Sequence, residues 1–193
     1  DLAAKDAQDA VLVTIGTGVG SGIIIDGKIV VGRHGLAGEL GHIHVEDSET
    51  KQCNCGAYGC LEQVASATGI VRLAENALKN DKRSSLLRNI EKITAKDVLD
   101  SAKSGDEVAM EVVQKVSAYL GVAISKVALI VDPDVIVIGG GVSKAGSFLV
   151  DLINKEYLKY TTLSDERAEI VLAMLGNDAG IYGAAKLALD ALT

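Results

Sequence analysis

Three cysteines fall in one short run, Cys53-Asn54-Cys55-Gly56-Ala57-Tyr58-Gly59-Cys60. Thiolates two and five residues apart, with glycines that let the chain fold back, suit a tetrahedral site for a soft metal, and zinc is the leading metal. A nearby imidazole can supply the fourth donor. The candidates are His34, His42 and His44. On a strand His42 and His44 would share a face, so spacing alone does not choose between them. Four protein donors leave no position for water or substrate, so such a metal is structural. Its effect on chemistry would pass through the second ring nitrogen of the ligating histidine, which can be aimed at a hydroxyl. Glu39, three residues before His42, and Glu62, two after Cys60, flank the cluster and could converge with it. Taken singly, a carboxylate is more often a solvated surface charge.

A second group of residues is rich in glycine. Gly16-Thr17-Gly18-Val19-Gly20-Ser21-Gly22 interrupts two β-rich runs. Successive backbone N–H groups in such a turn form an anion nest, and the Thr17 hydroxyl adds a donor, a combination suited to phosphate. The run joins strand to strand, so it is neither a P-loop nor a dinucleotide fingerprint. Gly139-Gly140-Gly141 follows an apolar strand and allows equally close approach of a nucleotide. Alone, either run is as well explained as a structural turn.

These residues need elements to hold them. Val11–Ile15, Ile23–Ile25 and Lys28–Val31 read as a strand meander, with Asp26-Gly27 as a tight hairpin turn. From about Ser66 the period lengthens, and Ile70, Leu73, Ala74, Ala77 and Leu78 fall on one helical face. Thr94-Ala95-Lys96-Asp97 has the form of a capping box and opens a short helix that Gly105 ends. Over Asp106–Ile130, the residues Val108, Val112, Val116, Leu120, Ala123 and Val127 recur at helical spacing, which predicts a central packing helix. It stops at Asp132-Pro133, since proline disfavours helix for its predecessor. Val135–Ile138 reads as a strand buried on both faces, followed by a helix from about Ala145 to Tyr160. Glu169–Leu175 repeats the theme, ending at Gly176-Asn177-Asp178 before an Ala-rich final helix. Two strand–glycine–helix units in succession predict an α/β domain with ligand groups at the carboxyl ends of strands.

Composition sets the outer bounds. With 193 residues, 48% hydrophobic and 23% charged, the chain is long enough to bury a core without disulfides. Aromatic residues make up only 3%, with no Trp, so platforms for stacking bases are not expected. The formal charge of −7 argues against binding to nucleic acid or anionic membranes. Lys126, Asp132 and Asp134 interrupt the most apolar stretch, and the first ten residues lack a signal-peptide pattern. An odd number of clustered cysteines is not the distribution of a secreted disulfide scaffold. Together these predict a cytoplasmic protein.

Four motifs, in order, carry a family resemblance: Thr17-Gly18-Val19-Gly20, then Gly38-Glu39-Leu40-Gly41-His42, then Cys-x-Cys-Gly-x-x-Gly-Cys-x-Glu from Cys53 to Glu62, then Ile138-Gly139-Gly140-Gly141. They resemble the ROK family of sugar kinases and repressors, and within it most closely the bacterial glucokinases. The resemblance spans nearly the whole chain. It implies the actin-like, hexokinase-like (ribonuclease H-like) ATPase fold, with residues 1–193 as the larger C-terminal domain.

The same resemblance implies roles. His42, Cys53, Cys55 and Cys60 become the ligands of a structural Zn2+, and Glu39, His42 and Glu62 become sugar-hydroxyl contacts. The Thr17–Gly22 turn, with Gly16, Thr17, Gly18, Val19, Gly20 and Gly22, resembles the family's second phosphate motif. Gly139, Gly140 and Gly141 resemble its adenosine-side loop, with Asn177 lining the same nucleotide cleft. The glutamate form of the Glu39 motif goes with glucose. ATP with Mg2+ is the implied co-substrate, and a homodimer the implied assembly. The family's N-terminal domain, with its Asp-x-Gly-Gly-Thr loop and the Asn-Asp pair that supplies the general base, is absent from these residues. Neither Asp6 nor Asp9 sits in that context. The chain is therefore expected to be part of a longer kinase and inactive by itself. The other expectation, from a different class, is the sugar-sensing effector domain of a ROK repressor.

Overall fold

The computed structural model describes residues 2–176. At its centre is a five-stranded mixed sheet in the order β3-β2-β1-β4-β5, formed by β1 (Ala10–Ile15), β2 (Val19–Ile25), β3 (Lys28–Ile29), β4 (Val135–Gly139) and β5 (Glu169–Leu172). The first three strands pair antiparallel, whereas β1–β4 and β4–β5 are parallel. The expected meander is present, and Asp26 and Gly27 both take positive φ, the backbone of a tight hairpin turn. β3 ends two residues earlier than expected, and β5 at Leu172 instead of Leu175.

Ile136, Val137 and Ile138 of β4 are all buried, as a continuous apolar run between two parallel neighbours requires. Parallel pairing of Ala10 with Val135 through Thr14 with Gly139 brings the carboxyl ends of β1 and β4 side by side. Both glycine runs leave the sheet at that one end. At the other end, the Asp134 carboxylate accepts from the backbone N–H of Gln8 and Asp9, at 2.9 and 3.0 Å, fixing how the chain enters β1.

Among the described residues there are five α-helices: α1 (Leu61–Ala65), α2 (Ala67–Asn80), α3 (Ala95–Lys103), α4 (Glu107–Val131) and α5 (Ser147–Tyr157). Thr94 and Asp97 form the expected capping box at α3. α4 is the spine, packing against the other four helices with Val108, Val112, Val116, Leu120, Ala123 and Ile124 buried. By length and composition alone it could cross a membrane, but half of its most apolar window is buried inside the fold. It ends where expected: Asp132 turns left-handed, with φ 50°, just before Pro133.

Two helix boundaries differ from the sequence reading. The predicted helix from Ser66 is preceded by a separate short one, α1, and Ser66 caps α2 by accepting from the Gly69 N–H. The helix expected over 145–160 is interrupted: a 3-10 turn at Val142–Ala145 gives way, at Gly146 with φ 75°, to the shorter α5. The final helix and Asn177 lie outside the described residues.

Candidate functional site

The cysteine run lies in the loop between β3 and α1. An isolated bridge pairs His44 with Cys60 and another pairs Gln52 with Tyr58, so the run is folded back on itself. One donor atom from each of His42, Cys53, Cys55 and Cys60 lies within 4.8 Å of every other. Cys53 Sγ is 3.8 Å from His42 Nδ1, and the sulfurs of Cys55 and Cys60 are 3.6 Å apart. Tetrahedral zinc with Zn–S near 2.3 Å spaces its sulfurs by about 3.8 Å, close to the Cys55–Cys60 separation, so the donor set is compatible with the ion. Burial pushes the Cys60 thiol up to about 12, with the neighbouring sulfurs adding to the shift. A bound dication would reverse that sense, because a coordinating thiol is deprotonated.

The structure also separates the histidines. His42 is not on a strand; it closes a 3-10 turn, Leu40–His42, so it shares no strand face with His44. His44 spends both ring nitrogens elsewhere, Nδ1 on the Tyr58 carbonyl at 2.8 Å and Nε2 on Asp47 at 2.7 Å. Two acceptors favour the doubly protonated ring, and its pKa is raised, first by Asp47 and then by the Tyr58 carbonyl. His34 is exposed and outside the cluster.

Gly38-Glu39-Leu40-Gly41-His42 lies against β2 so closely that a Cβ on Gly41 would stand 2.1 Å from the Val19 carbonyl oxygen. That contact, with Leu40 buried beside it, fixes where Glu39 and His42 emerge. With Nδ1 turned to Cys53, His42 directs Nε2 toward Glu39 Oε2 at 3.9 Å. The separation is too long for a direct hydrogen bond and leaves both groups able to meet a third. Glu62 sits on α1, two residues after the last cysteine, and its Oε2 accepts from the Val19 N–H at 3.1 Å.

Two cavities meet at the first glycine turn. One, of about 170 Å³, is lined by Thr17, Cys53, Asn54, Glu62, Thr68 and Arg72; Glu39 and His42 do not line it. The other, of about 450 Å³, lies between Gly16-Thr17, the start of α3 at Thr94–Lys96, and Gly141-Val142. Thr17 lines both. The turn itself is shorter than the glycine run: only residues 16–18 are loop, and Gly20 and Gly22 belong to β2. Gly139 is likewise the last residue of β4, and Gly140 packs on the Ile15 backbone, leaving Gly141 at the cavity wall.

The sequence model of the ROK family matches residues 1–191. The chain belongs to the ROK family. It shares 45% identity over 185 residues with a glucokinase of Halalkalibacterium halodurans, covering 94% of this chain and 56% of that protein. It is also 36% identical over 174 residues to the DNA-binding transcriptional dual regulator NagC of Escherichia coli, covering 87% of this chain and 42% of the regulator. Among solved structures, a ROK family glucokinase from Streptomyces griseus in complex with glucose and AMPPNP superposes with a TM-score of 0.84 at 34% identity, covering 94% of this chain and 61% of that one. The fold is thus the actin-like, hexokinase-like kinase fold, and the chain spans a little over half the length of these kinases.

The ROK domain also has site residues that the sequence reading passed over. Gln63 accepts from the Cys60 N–H at 3.1 Å and donates to the Lys51 carbonyl at 2.7 Å, bracing both ends of the cysteine run. Cys-x-x-Gln has the spacing of a capping box with cysteine in the serine position, a signal that could have been found. Arg72 of α2 pairs with Glu49 and donates to the Gln63 carbonyl. Burial alone would raise the Glu49 carboxyl, but the Lys51 N–H and Arg72 hold it below its usual range.

Proposed function

We propose that this ROK domain is the sugar- and nucleotide-facing half of an ATP-dependent hexose kinase that phosphorylates glucose to glucose 6-phosphate. The observation that carries the reading is Thr17, which lines two adjoining cavities and so stands where a phosphoryl group would pass between two ligands. Glu62 meets the sugar from the wall of the smaller cavity, and Glu39 and His42, which do not line that cavity, are assigned as further hydroxyl contacts on the family pattern. The Gly16–Gly18 turn and Gly141 hold the nucleotide of Mg-ATP, and the remaining glycines of both runs and Val19, whose N–H is given to Glu62, are assigned to the nucleotide side on the family pattern alone. Asn177 is assigned to the nucleotide cleft on the family pattern.

In this reading His42, Cys53, Cys55 and Cys60 hold a structural Zn2+, whose service is rigidity of the loop behind the sugar contacts. His42 is bound through Nδ1, so its Nε2–H is oriented toward substrate. Phosphoryl transfer relies mainly on positioning and charge stabilisation, but the hydroxyl nucleophile needs a base. That base is an aspartate of the N-terminal domain, outside these residues. The protein is assigned to the cytoplasm, acts as a homodimer and has no nucleic-acid or membrane partner through this domain.

A second reading, the effector domain of a ROK repressor, is favoured by the 36% identity to NagC. Isothermal titration separates the two. Saturable binding of both glucose and AMPPNP supports the kinase half, and glucose binding with no uptake of nucleotide overturns it in favour of a sensor. Mixed with glucose and Mg-ATP, the purified chain should release no ADP; glucose-dependent release would overturn the assignment of the base.

A further inference from the structure

The turn that adjoins both cavities is held almost wholly from one side. Gly16 accepts from the Ala67 N–H at 2.8 Å, and Thr17 accepts from the Thr68 hydroxyl at 3.2 Å. Val19 donates its N–H to Glu62 Oε2 at 3.1 Å. All three partners lie between Glu62 and Thr68, on α1 and the start of α2. The Glu62 carboxylate also fills the space beside Gly18, where a Cβ would stand 2.2 Å from Oε2. The second Glu62 oxygen takes no hydrogen bond from the described residues.

We infer that Glu62 is a coupling residue. One carboxylate oxygen props the phosphate turn through the Val19 N–H, the other receives a sugar hydroxyl, and sugar in its cavity thereby sets the position of the turn that faces the nucleotide. The inference rests on the reading of Glu62 as a sugar contact. A carboxylate bonded at both oxygens is fixed in rotation, so the position of a hydroxyl on one side constrains the amide on the other. The turn is where this constraint can be felt. Gly18 packs against the carboxylate without a side chain, so a methyl group added there would displace Glu62 although it touches no sugar.

The test uses the purified chain with D-glucose, followed in its backbone amide spectrum. Glucose should shift the amide signals of Gly18 and Val19. Gly18→Ala should raise the glucose dissociation constant by about fivefold or more, and Gly18→Ala with Glu62→Ala should bind no more weakly than Glu62→Ala alone, since both remove one interaction. Glu62→Gln keeps an acceptor for Val19, so hydrogen-exchange protection of that amide should survive in Glu62→Gln and fall at least tenfold in Glu62→Ala. Wild-type glucose affinity in a folded Gly18→Ala variant, or effects that multiply in the double variant, overturns the coupling while leaving the sugar site standing. A wild-type chain that takes up no glucose, yet shows Glu62-dependent protection of Val19, overturns the sugar reading and the coupling with it.

Discussion

Tyr119 of α4 donates its hydroxyl hydrogen to Glu46, across 73 residues of sequence, and ties the cysteine-bearing loop to the longest helix of the fold. The Ser48 N–H and hydroxyl also donate to Glu46, at 2.9 and 2.8 Å, and Lys115 lies 3.6 Å away. The Tyr119 hydroxyl, followed by the Ser48 donors, lowers the Glu46 carboxyl to about 2. The same pairing, after burial, raises the Tyr119 phenol above its ordinary value.

Tyr119→Phe should therefore destabilise the domain by about 1.5–3 kcal/mol at neutral pH, the range for a hydrogen bond to a charged group. A carboxyl held low in the folded state stabilises fully above its unfolded value and loses that stabilisation as pH falls through the folded one. For Glu46 this window runs from about 4.5 down to about 2. Urea unfolding at pH 7, 4.5 and 3 should show wild type and variant converging across it. A constant difference would mean that the hydroxyl acts through packing alone.

Purified without added metal, the chain should carry about one zinc per molecule, since structural zinc contributes enough folding free energy to co-purify. Cys60→Ser should abolish retention. Less than about a tenth of an equivalent in wild type would contradict the four-donor site.

Gly140 and Gly141 are neighbours with opposite expected behaviour. A Cβ on Gly140 would stand 2.5 Å from the Ile15 carbonyl oxygen, at φ +88°, so Gly140→Ala should destabilise by about 2 kcal/mol or more. Gly141 has φ −62° and ψ −33° and open space around the missing methyl. Gly141→Ala should leave the melting temperature nearly unchanged while weakening AMPPNP binding. Equal melting temperatures for the two variants would count against the packing argument.

Asp106 caps α4 through the Ala109 N–H at 3.0 Å and also accepts from the Leu86 N–H and the Ser85 hydroxyl, at 2.5 and 2.8 Å. Burial alone would raise its carboxyl, but these donors hold it low. Asp106→Ala should destabilise by about 2 kcal/mol or more and Asp106→Asn by less, because the amide oxygen still caps. Thermal unfolding of the pair checks the order.

What the sequence made legible was local. β-rich runs and turn residues placed β1 and the second half of β2, which begins four residues earlier at Val19, the Thr94–Asp97 spacing placed the start of α3, and the valines of α4 carried their own period. His42 and His44 were not separable because a 3-10 turn at Leu40–His42 has no hydrophobic period to announce it. Gly146 cut the helix expected from Ala145, which the apolar pattern of Phe148, Leu149 and Leu152 could not show. Least legible were Tyr119–Glu46 and Arg72–Glu49, single polar residues paired across 73 and 23 positions. Each alone has the signature of a solvated charge or a surface phenol. Only the packing of α2 and α4 behind the loop gives them a partner.

The parallel pairing of β1 with β4 has a consequence for biosynthesis. β1 lies in the middle of the sheet, yet the strand that covers its second edge is made far later, with Asp9 and Asp134 separated by 125 positions. At ribosomal rates of roughly 5–20 residues per second, the β1–β2 hairpin, complete at Ile25, leaves the exit tunnel about 6–23 s before β4, complete at Gly139, can dock. Throughout that interval Val11, Val13 and Ile15, all buried in the finished domain, belong to a strand with one unpaired edge. Nascent chains that stop short of Val135 should bind holdase chaperones and aggregate when released, and those extending past Leu172 should not.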